Sequence, residues 1–305
     1  MTDTITLTDV KTLSALFRER VSRMPDAIAY RHYDVGRQQW MDTSWREMSG
    51  MVARWQNAMQ RCGLAKGDRV AIMLRNSREW VIFDQAALGL GFVTVPLYIE
   101  DRAENAAFIL RNSNAKLLVV EGREQWQGLL ACADSLTALM HIISVEDIAG
   151  STPDPRLRSL SQWLPADAGE LQTQAALEDE LASIVYTSGT TGRSKGVMLT
   201  HRNILFNAWV SACTVDLDRT AVFLSFLPLS HTLERTIGYY LPMIVGGTVA
   251  FNRAVKLLSD DLVTIRPTVL ISVPRIYERV YSRITETLQT QSRIKRALFR
   301  ATLAV

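Results

Sequence analysis

Cysteine and histidine are scarce in this sequence, and their spacing excludes the common metal sites. The chain of 305 residues has 3 cysteines and 4 histidines. Cys62, Cys132 and Cys213 lie far apart and fit no zinc-binding spacing, and the histidines stand alone. We therefore expect reduced, buried thiols, as is usual in a cytoplasmic protein.

The sequence also lacks a surplus of charge and a long uninterrupted apolar run. Its net charge is +3 with both signs interspersed, so it predicts no nucleic-acid surface. The first residues, MTDTITLTDVK, show neither the basic nor the apolar region of a signal peptide. The most apolar stretch, residues 81–99, contains Asp84, Gln85, Thr94 and Pro96, which favours a helix and a strand over a membrane span.

Apolar strands and amphipathic helices alternate along the chain. Ser44, with Glu47 three residues later, predicts a capped helix start. Helices are predicted at residues 13–24, 44–59, 78–90, 102–111, 124–133, 201–212, 233–245, near 255–265 and from 274 onward. Two strands are predicted around Gly36, and others at 70–74, 92–96, 116–120, 141–145, 181–186, 196–200, 221–226, 248–251 and 268–272. This alternation predicts an α/β fold with a parallel sheet covered by helices.

Residues 148–180 interrupt the alternation. They contain three prolines, several acidic residues and little periodicity, which indicates an exposed connection between two halves. We predict a first βα subdomain with its connecting segment over residues 1–180. A second, incomplete βα subdomain, opened by a strand pair around a glycine-rich loop, is predicted over residues 181–305.

The loop after the strand at 181–186 has the composition of a phosphate site. It is not a P-loop of the G-x-x-x-x-G-K-[ST] type, because Ser194 stands where a glycine is needed and Gly196 follows the lysine. Hydroxyl groups, flexible glycine backbone and one cation nevertheless suit a bound phosphate. The residues concerned are Thr187, Ser188, Gly189, Thr190, Thr191, Gly192 and Lys195. A hairpin with ordinary turn hydroxyls is the alternative at this point.

A family resemblance then favours the phosphate site. The segment YTSGTTGRSKGVMLTHRNI is similar over its whole length to the signature of adenylate-forming enzymes: acyl-CoA synthetases, luciferases and nonribosomal-peptide adenylation domains. FLPLSHTLERT at 226–236 resembles their next motif and, with SVPRIYERVY at 272–281, looks like the long-chain fatty acyl-CoA synthetase branch. The stretch at 67–98 also matches. The resemblance implies the layered βα subdomains of that family's N-terminal domain.

The resemblance implies an AMP-forming ligase for long-chain fatty acids. In this reaction a carboxylate attacks the α-phosphate of ATP, and coenzyme A then takes the acyl group from the adenylate. Matched by motif position, Thr187 would help ligate Mg²⁺, residues 188–192 would wrap the β- and γ-phosphates, and Lys195 would stabilise pyrophosphate. His231 would orient the acyl carboxylate. His231 and Lys195 are thus the implied catalytic residues, and a fatty acid, ATP, Mg²⁺ and coenzyme A the implied ligands.

Other interpretations stay open at this point. The acyl acceptor could be a carrier protein, or the chain could be a non-catalytic ATP- or acyl-binding protein. Glu234 and Arg235 could be structural or could line the acyl entrance. Tyr239, Tyr240 and Met243 could border an acyl tunnel, although such residues at helical spacing usually belong to the core.

The later motifs of the resembled family are not found in this sequence. Neither Gly-Tyr-Gly-x-Thr-Glu, nor a later [ST]-Gly-Asp, nor a glycine-rich lid with its lysine occurs, and residues 292–305 look like a helix without a stop signal. We therefore expect an N-terminal portion without the C-terminal lid domain, inactive by itself. Its expected location is cytoplasmic, with peripheral contact to the inner face of a membrane left open.

Overall fold

Two β-sheets organise the first 269 residues of the chain. The structure, a computed structural model, describes residues 3–132, 136–148, 154–187 and 194–289. Residues 1–269 form one compact unit and residues 270–305 another, whose described part contains helix α10, Pro274–Gln289. The helices of the first unit are α1 Leu13–Arg23, α2 Trp45–Gln60, α3 Arg78–Gly89, α4 Ala103–Ser113, α5 Arg123–Leu130, α6 Leu160–Trp163, α7 His201–Thr214, a π-helix Glu234–Tyr240, α8 Leu241–Val245, a 3-10 turn Val255–Leu257 and α9 Leu258–Ile265.

The larger sheet has seven strands and is parallel except at one edge. Its strands are β3 Arg69–Met73, β4 Val93–Pro96, β5 Leu117–Val120, β6 His141–Ser144, β7 Leu157–Ser159, β8 Leu181–Thr187 and β9 Lys195–Thr200. They lie in the order β7-β6-β5-β3-β4-β8-β9, with only β8 and β9 antiparallel. Strands β4 and β5 are buried along their whole length, which explains the unbroken apolar sequence of β5 and that of β4 apart from Thr94. The predicted α/β fold with a parallel, helix-covered sheet is confirmed.

The smaller sheet joins distant parts of the chain. Its strands are β1 Ile28–Asp34, β2 Gln39–Ser44, β10 Val222–Ser225 and β11 Thr248–Phe251, in the order β10-β11-β1-β2. The pair β1–β2 is antiparallel, and β11 runs parallel to both of its neighbours. Each sheet therefore takes strands from both sides of residue 180. Division of the chain into subdomains at that residue stays a prediction.

Local signals placed most elements correctly. The predicted cap of α2 is confirmed: the Ser44 amide donates to Glu47 Oε2 at 2.7 Å, and the Glu47 amide donates to Ser44 Oγ at 3.2 Å. Of the three cysteines only Cys62 is buried, whereas Cys132 is partly exposed and Cys213 exposed. The prediction of buried thiols is therefore wrong for Cys213, which lies on the solvent face of α7.

Two element predictions are wrong. Residues 157–163 are not a plain connection but form β7 and α6, because Trp163 is buried and packs edge-on against Trp55. The strand predicted at 268–272 is reduced to one bridge between Phe223 and Val269. Here the Thr268 hydroxyl accepts from the Val222 amide at 2.9 Å, so a side chain takes the place of a ladder partner.

Candidate functional site

The glycine-rich loop is carried by the antiparallel pair β8–β9. Thr187 and Lys195 lie opposite each other as the last pair of this ladder, and both are exposed to solvent. The backbone pairing thus brings the predicted metal ligand and the predicted pyrophosphate lysine to the two ends of one loop. The other predicted binding residues of this loop lie outside the described residues: Ser188, Gly189, Thr190, Thr191 and Gly192.

Side chains of α4 hold the stem of this hairpin. The Ser194 hydroxyl donates to Asn105 Oδ1 at 2.9 Å, and the Tyr186 hydroxyl donates to Asn112 Oδ1 at 2.6 Å. Gly196 is paired with Tyr186 across the ladder, and a Cβ atom there would lie 3.0 Å from the tyrosine ring. The glycine is needed because any side chain would displace that ring. The loop therefore starts and ends on a fixed stem.

His231 lies in the turn that follows β10. Its backbone amide donates to the Pro228 carbonyl at 2.9 Å, and its Nδ1 accepts a hydrogen bond from the Leu233 amide at 3.2 Å. A neutral imidazole that accepts at Nδ1 carries its proton on Nε2. The ring is exposed, so Nε2–H is available to an oxygen of a ligand. The exposed position argues against a satisfied core histidine.

A groove lies between the hairpin stem, α7 and the start of the π-helix. Its volume is about 420 Å³, within the range usual for small-molecule sites. The lining is apolar on β8 and β9, whereas α7 and the segment 232–237 each supply both polar and apolar groups. It comprises Val185, Leu199, Asn203, Ile204, Asn207, Ser211, Thr232, Leu233, Arg235, Thr236 and Ile237. The two sequence motifs, far apart in the chain, thus supply walls of the same groove.

A buried ion pair fixes the π-helix to the larger sheet. Arg235 Nη2 lies 2.5 Å from Asp84 Oδ1 on α3, and both side chains are almost fully buried. Arg235 also donates to Ser183 Oγ of β8 at 2.6 Å and to Thr94 Oγ1 of β4 at 2.8 Å. Burial lowers the pKa of Arg235, but the Asp84 carboxylate and neighbouring tyrosine hydroxyls outweigh this and hold it above its usual range. Arg235 is therefore a structural cation at one wall of the groove.

The two tyrosines of the π-helix complete this pair. The Tyr239 hydroxyl donates to Asp84 Oδ2 at 3.1 Å and the Tyr240 hydroxyl donates to the same oxygen at 2.6 Å. Both rings and Met243 are buried, and none of the three lines the groove. They belong to the core, which decides the question that the sequence left open.

Glu234 is buried at the first position of the π-helix. Its Oε1 accepts a hydrogen bond from Ser225 Oγ at 2.7 Å, whereas Oε2 has no partner among the described residues. Burial raises the pKa of Glu234 to about 8, although the Ser225 hydroxyl lowers it. The side chain is therefore mainly protonated near neutral pH, and it faces the protein rather than the groove.

Sequence reasoning missed Asn76, Asp84, Thr94 and Ser183 as parts of this region. A signal existed for Asp84, because a carboxylate within the apolar run of α3 is costly unless a buried partner compensates it. No comparable signal marks Asn76, whose partners lie about 150 residues away in the sequence. Within the described ranges, no group of three or more His, Cys, Asp or Glu is placed to hold a metal ion.

Comparison with known families decides what this arrangement is. The family described as AMP-binding enzyme matches residues 17–302. The chain belongs to this family. Both sequence motifs that contribute to the groove lie within the matched residues. The match to the AMP-binding enzyme family therefore covers the candidate site.

Three curated relatives are similar to this chain over most of its length. The chain is 33% identical over 248 residues to long chain acyl-CoA synthetase 6, peroxisomal, of Arabidopsis thaliana, covering 78% of this chain and 35% of the relative. It is 32% identical over 274 residues to the long-chain-fatty-acid–CoA ligase FadD15 of Mycobacterium bovis, covering 88% and 45%. It is 30% identical over 301 residues to the ligase ACSBG2 of Xenopus laevis, covering 94% and 40%. The chain thus spans less than half the length of these relatives.

Solved structures share the fold. The anthranilate CoA ligase AuaEII in complex with anthranoyl-AMP superposes with a TM-score of 0.76 at 22% identity, covering 87% of this chain and 51% of that chain. The inhibitor-bound N-terminal domain of FACL13 from Mycobacterium tuberculosis gives 0.74 at 25% identity, covering 88% and 64%. The predicted fold of an adenylate-forming N-terminal domain is therefore confirmed. Among the described residues, no helix is both long and apolar enough to cross a bilayer.

Proposed function

We propose that this AMP-binding enzyme chain forms the phosphate-binding and acyl-orienting part of a long-chain fatty acid–CoA ligase. The observation that carries the proposal is the shared groove: the hairpin strands that bear Thr187 and Lys195 contribute Val185 and Leu199 to its lining, and Thr232, next to His231, contributes from the turn. Thr187, Lys195 and His231 themselves are not lining residues of this groove. A carboxylate and a triphosphate must meet for adenylation, and in this proposal they meet beside the groove, between the hairpin and the His231 turn. The names of the curated relatives support the substrate class.

In the proposed first step, a fatty acid carboxylate attacks the α-phosphate of ATP and pyrophosphate leaves. Negative charge accumulates on the leaving group, so an exposed cation at the end of the loop stabilises the transition state. Lys195 occupies that position. His231 Nε2–H can donate to an oxygen of the carboxylate or of the α-phosphate and so hold the two reacting groups in line. The roles proposed for residues 188–192 rest on their sequence alone.

The apolar walls of the groove suit the part of the acyl chain next to the carboxylate. Val185, Leu199, Ile204, Leu233 and Ile237 exclude water from that region. On the opposite wall, the polar groups of α7 are turned back to their own helix: Asn207 Nδ2 donates to the Asn203 carbonyl at 2.8 Å. This bond occupies one amide proton of Asn207, so one donor fewer faces an apolar chain on this wall.

A magnesium ion fits the chemistry of this edge. Mg²⁺ prefers oxygen ligands and is usually held by few protein groups together with substrate phosphates. The Thr187 hydroxyl at the end of β8 could supply one such oxygen. When bound, the ion would neutralise phosphate charge.

For the second step we propose coenzyme A as the acceptor of the acyl group. The curated relatives are named as CoA ligases or acyl-CoA synthetases, which favours coenzyme A over a carrier protein. A non-catalytic binding role is not favoured either, because the same relatives are named as enzymes. A cytoplasmic location, with peripheral contact to a membrane, belongs to the same proposal.

The proposal is tested by ATP–pyrophosphate exchange in the full-length protein. Exchange should require palmitate and should be weak with acetate, and acyl transfer should be faster to coenzyme A than to acyl carrier protein. Lys195→Ala should lower the exchange rate on the order of 30-fold, since one charge-assisted contact to the leaving group is lost. Lys256→Ala, another exposed lysine, is the matched control and should leave exchange unchanged.

Two results would overturn the proposal. Exchange that proceeds equally well without any fatty acid would remove the substrate class. A Lys195→Ala protein that exchanges at the wild-type rate would show that the hairpin loop is an ordinary turn.

A further inference from the structure

Asn76 connects the two sheets where the His231 turn begins. It lies in the connection between β3 and α3, and its side chain is partly buried. Its Nδ2 donates to Ser225 Oγ at 2.9 Å and to the Leu227 carbonyl at 2.6 Å, and its Oδ1 accepts from the Leu229 amide at 2.8 Å. One amide side chain thus satisfies three groups of the segment that leads to the histidine.

The geometry of these bonds is that of a strand pair. Asn76 donates to the carbonyl of residue 227 and accepts from the amide of residue 229, as a residue of a parallel neighbouring strand would. Pro228, between them, has no amide proton to pair. Its carbonyl accepts the His231 amide at 2.9 Å. The position of the His231 backbone is therefore set two residues upstream, by Asn76.

A hydrogen bond between Ser225 and Glu234 joins the two ends of the segment 225–234, which contains His231. Ser225 Oγ, which accepts from Asn76, donates to Glu234 Oε1 at 2.7 Å. Ser225 and Glu234 stand at the two ends of the segment that contains His231, so this contact limits how far the ends can separate. Within the segment, the Leu233 amide orients the imidazole through Nδ1. These contacts fix both the backbone and the ring of His231.

We propose that Asn76 is a positioning residue for His231 in the adenylation step. It does not contact the reacting groups but holds the turn at the distance and angle that let Nε2–H reach them. The inference rests on the function proposed above and adds to it a residue from the opposite sheet. A displacement of about 1 Å at such a site can lower a rate by roughly 100-fold.

Kinetics test the inference in the full-length protein. Asn76→Ala should lower the turnover number of palmitate-dependent exchange by about 10- to 100-fold while changing the KM for ATP little, because geometry rather than binding is lost. Asn76→Asp keeps the acceptor for the Leu229 amide but faces the Leu227 carbonyl with an oxygen, and it should behave likewise. The control is Asn57→Ala on α2, far from the His231 turn in sequence. It removes a similar hydrogen bond, from Asn57 Nδ2 to the Asp167 carbonyl at 3.1 Å, and should change neither the turnover number nor the KM for ATP.

A double-mutant cycle with His231→Ala separates positioning from general stabilisation. If Asn76 acts through His231, then Asn76→Ala lowers the rate no further when His231 is already absent. If the two substitutions lower the exchange rate by factors that multiply in the double variant, the inference is overturned. If His231→Ala alone leaves the exchange rate unchanged, the role proposed for His231 is wrong. The single variant thus tests the proposed function separately from the role of Asn76.

The imidazole itself gives a readout that does not depend on activity. In ring-labelled protein, the histidine signal that is lost in His231→Ala identifies His231. Both Asn76 variants should shift the Nδ1 and Nε2 resonances of His231 and average its tautomers, whereas Asn57→Ala should not. Folded Asn76 variants with an unchanged His231 spectrum would overturn the inference.

Discussion

At the scale of single residues, buried polar side chains with specific hydrogen-bond partners organise the region around the groove. Asp84 accepts from Arg235 and from two tyrosine hydroxyls, so its charge is compensated by three donors within the core. Among the described residues no cation lies beside Glu234, one residue before Arg235, and burial raises its pKa to about 8, so it mainly holds a proton near neutral pH. The two buried acids thus differ because Asp84 has a buried counter-ion in Arg235, whereas the described residues place none at Glu234.

Replacing Asp84 by asparagine should destabilise the protein severely. The substitution keeps the shape of the side chain but leaves the Arg235 guanidinium buried without its counter-charge. We expect a loss of about 3–5 kcal/mol in the free energy of unfolding, measured by urea denaturation. Asp26→Asn breaks an ion pair with Arg46 that is open to solvent and should have little effect. Equal stability of the two variants would contradict the buried charge pair.

The pH dependence of stability should reveal Glu234. Its pKa is raised by burial to about 8 in the folded state, so the folded protein binds a proton that the unfolded chain releases at about pH 4.5. The stability from this group is fully present below about pH 4.5 and is lost as pH rises through about 8, with a limiting slope of about 1.4 kcal/mol per pH unit.

Glu234→Gln should remove that slope, as seen in unfolding free energies measured from pH 4.5 to 8.5. Burial lowers the pKa of His201 to about 4, so this residue makes the free energy of unfolding rise with pH over the acidic part of this range. It is present in both proteins and affects them equally. The difference between wild type and variant therefore isolates Glu234. Glu104→Gln, at an exposed position, serves as the control and should follow the wild-type curve. A wild-type curve parallel to that of Glu234→Gln would refute the prediction.

At the scale of elements, the π-helix depends on a glycine. A Cβ atom at Gly238 would lie 2.6 Å from Glu234 Cδ, so the buried carboxyl occupies the space that any side chain would need. The wide π turn places this acid against its own helix, where Ser225 can reach it. The glycine and the glutamate are therefore one structural unit, four residues apart.

Gly238→Ala should destabilise the protein by about 1–3 kcal/mol through overpacking, despite the higher helix propensity of alanine. Gly50→Ala in the middle of α2 is the matched control, because nothing lies within 4 Å of its Cβ position. That change should stabilise the protein by about 0.5–1 kcal/mol. Thermal unfolding of the two variants should shift in opposite directions, and shifts of the same sign would show that Glu234 moves aside freely.

At the scale of the whole molecule, the beginning of the chain is locked to residues more than 200 positions later. Arg20 on α1 donates to the Met243 and Ile244 carbonyls, both at 2.7 Å, and to the Asp3 carbonyl at 2.8 Å. It thereby satisfies carbonyl groups at the C-terminal end of α8 that have no partner in their own helix. Burial lowers the pKa of Arg20 to about 10, still high enough to keep its charge.

Arg20→Lys should not be a conservative change. An ammonium group cannot reach three carbonyls with the geometry of a guanidinium, so some of these acceptors lose the Arg20 donor, although the Ile244 carbonyl keeps the Ile5 amide at 2.9 Å. We expect the free energy of unfolding to fall by about 1–3 kcal/mol in urea denaturation. Arg18→Lys, on the exposed side of the same helix, should be neutral. If both variants unfold at the same urea concentration, the contacts of Arg20 do not contribute as the structure indicates.

The sequence by itself determined most of the element order, most helix starts and the position of the hairpin loop. These follow from signals within a few residues: strand and helix periodicity, the Ser44–Glu47 cap, and a dense group of glycines and hydroxyls after an apolar strand. Errors arose where a weak local pattern competed with a distant contact. Trp163 ordered a segment rich in proline and acid, and the Thr268 side chain took the place of a backbone partner at the first residue of a predicted strand.

Only the tertiary structure decided how these pieces meet. The pairing of β1 with β11, the contact of Asp84 with Arg235 and the clamp of Asn76 on the His231 turn join residues about 150 or more positions apart. Such contacts leave no periodic trace in a single sequence, because either partner alone looks like an ordinary polar residue. Their strength comes from shared burial, which lowers the local dielectric and makes each missing partner costly. Burial is a property of the assembled sheets. It is what makes polar residues from distant parts of the sequence hold the candidate site in place.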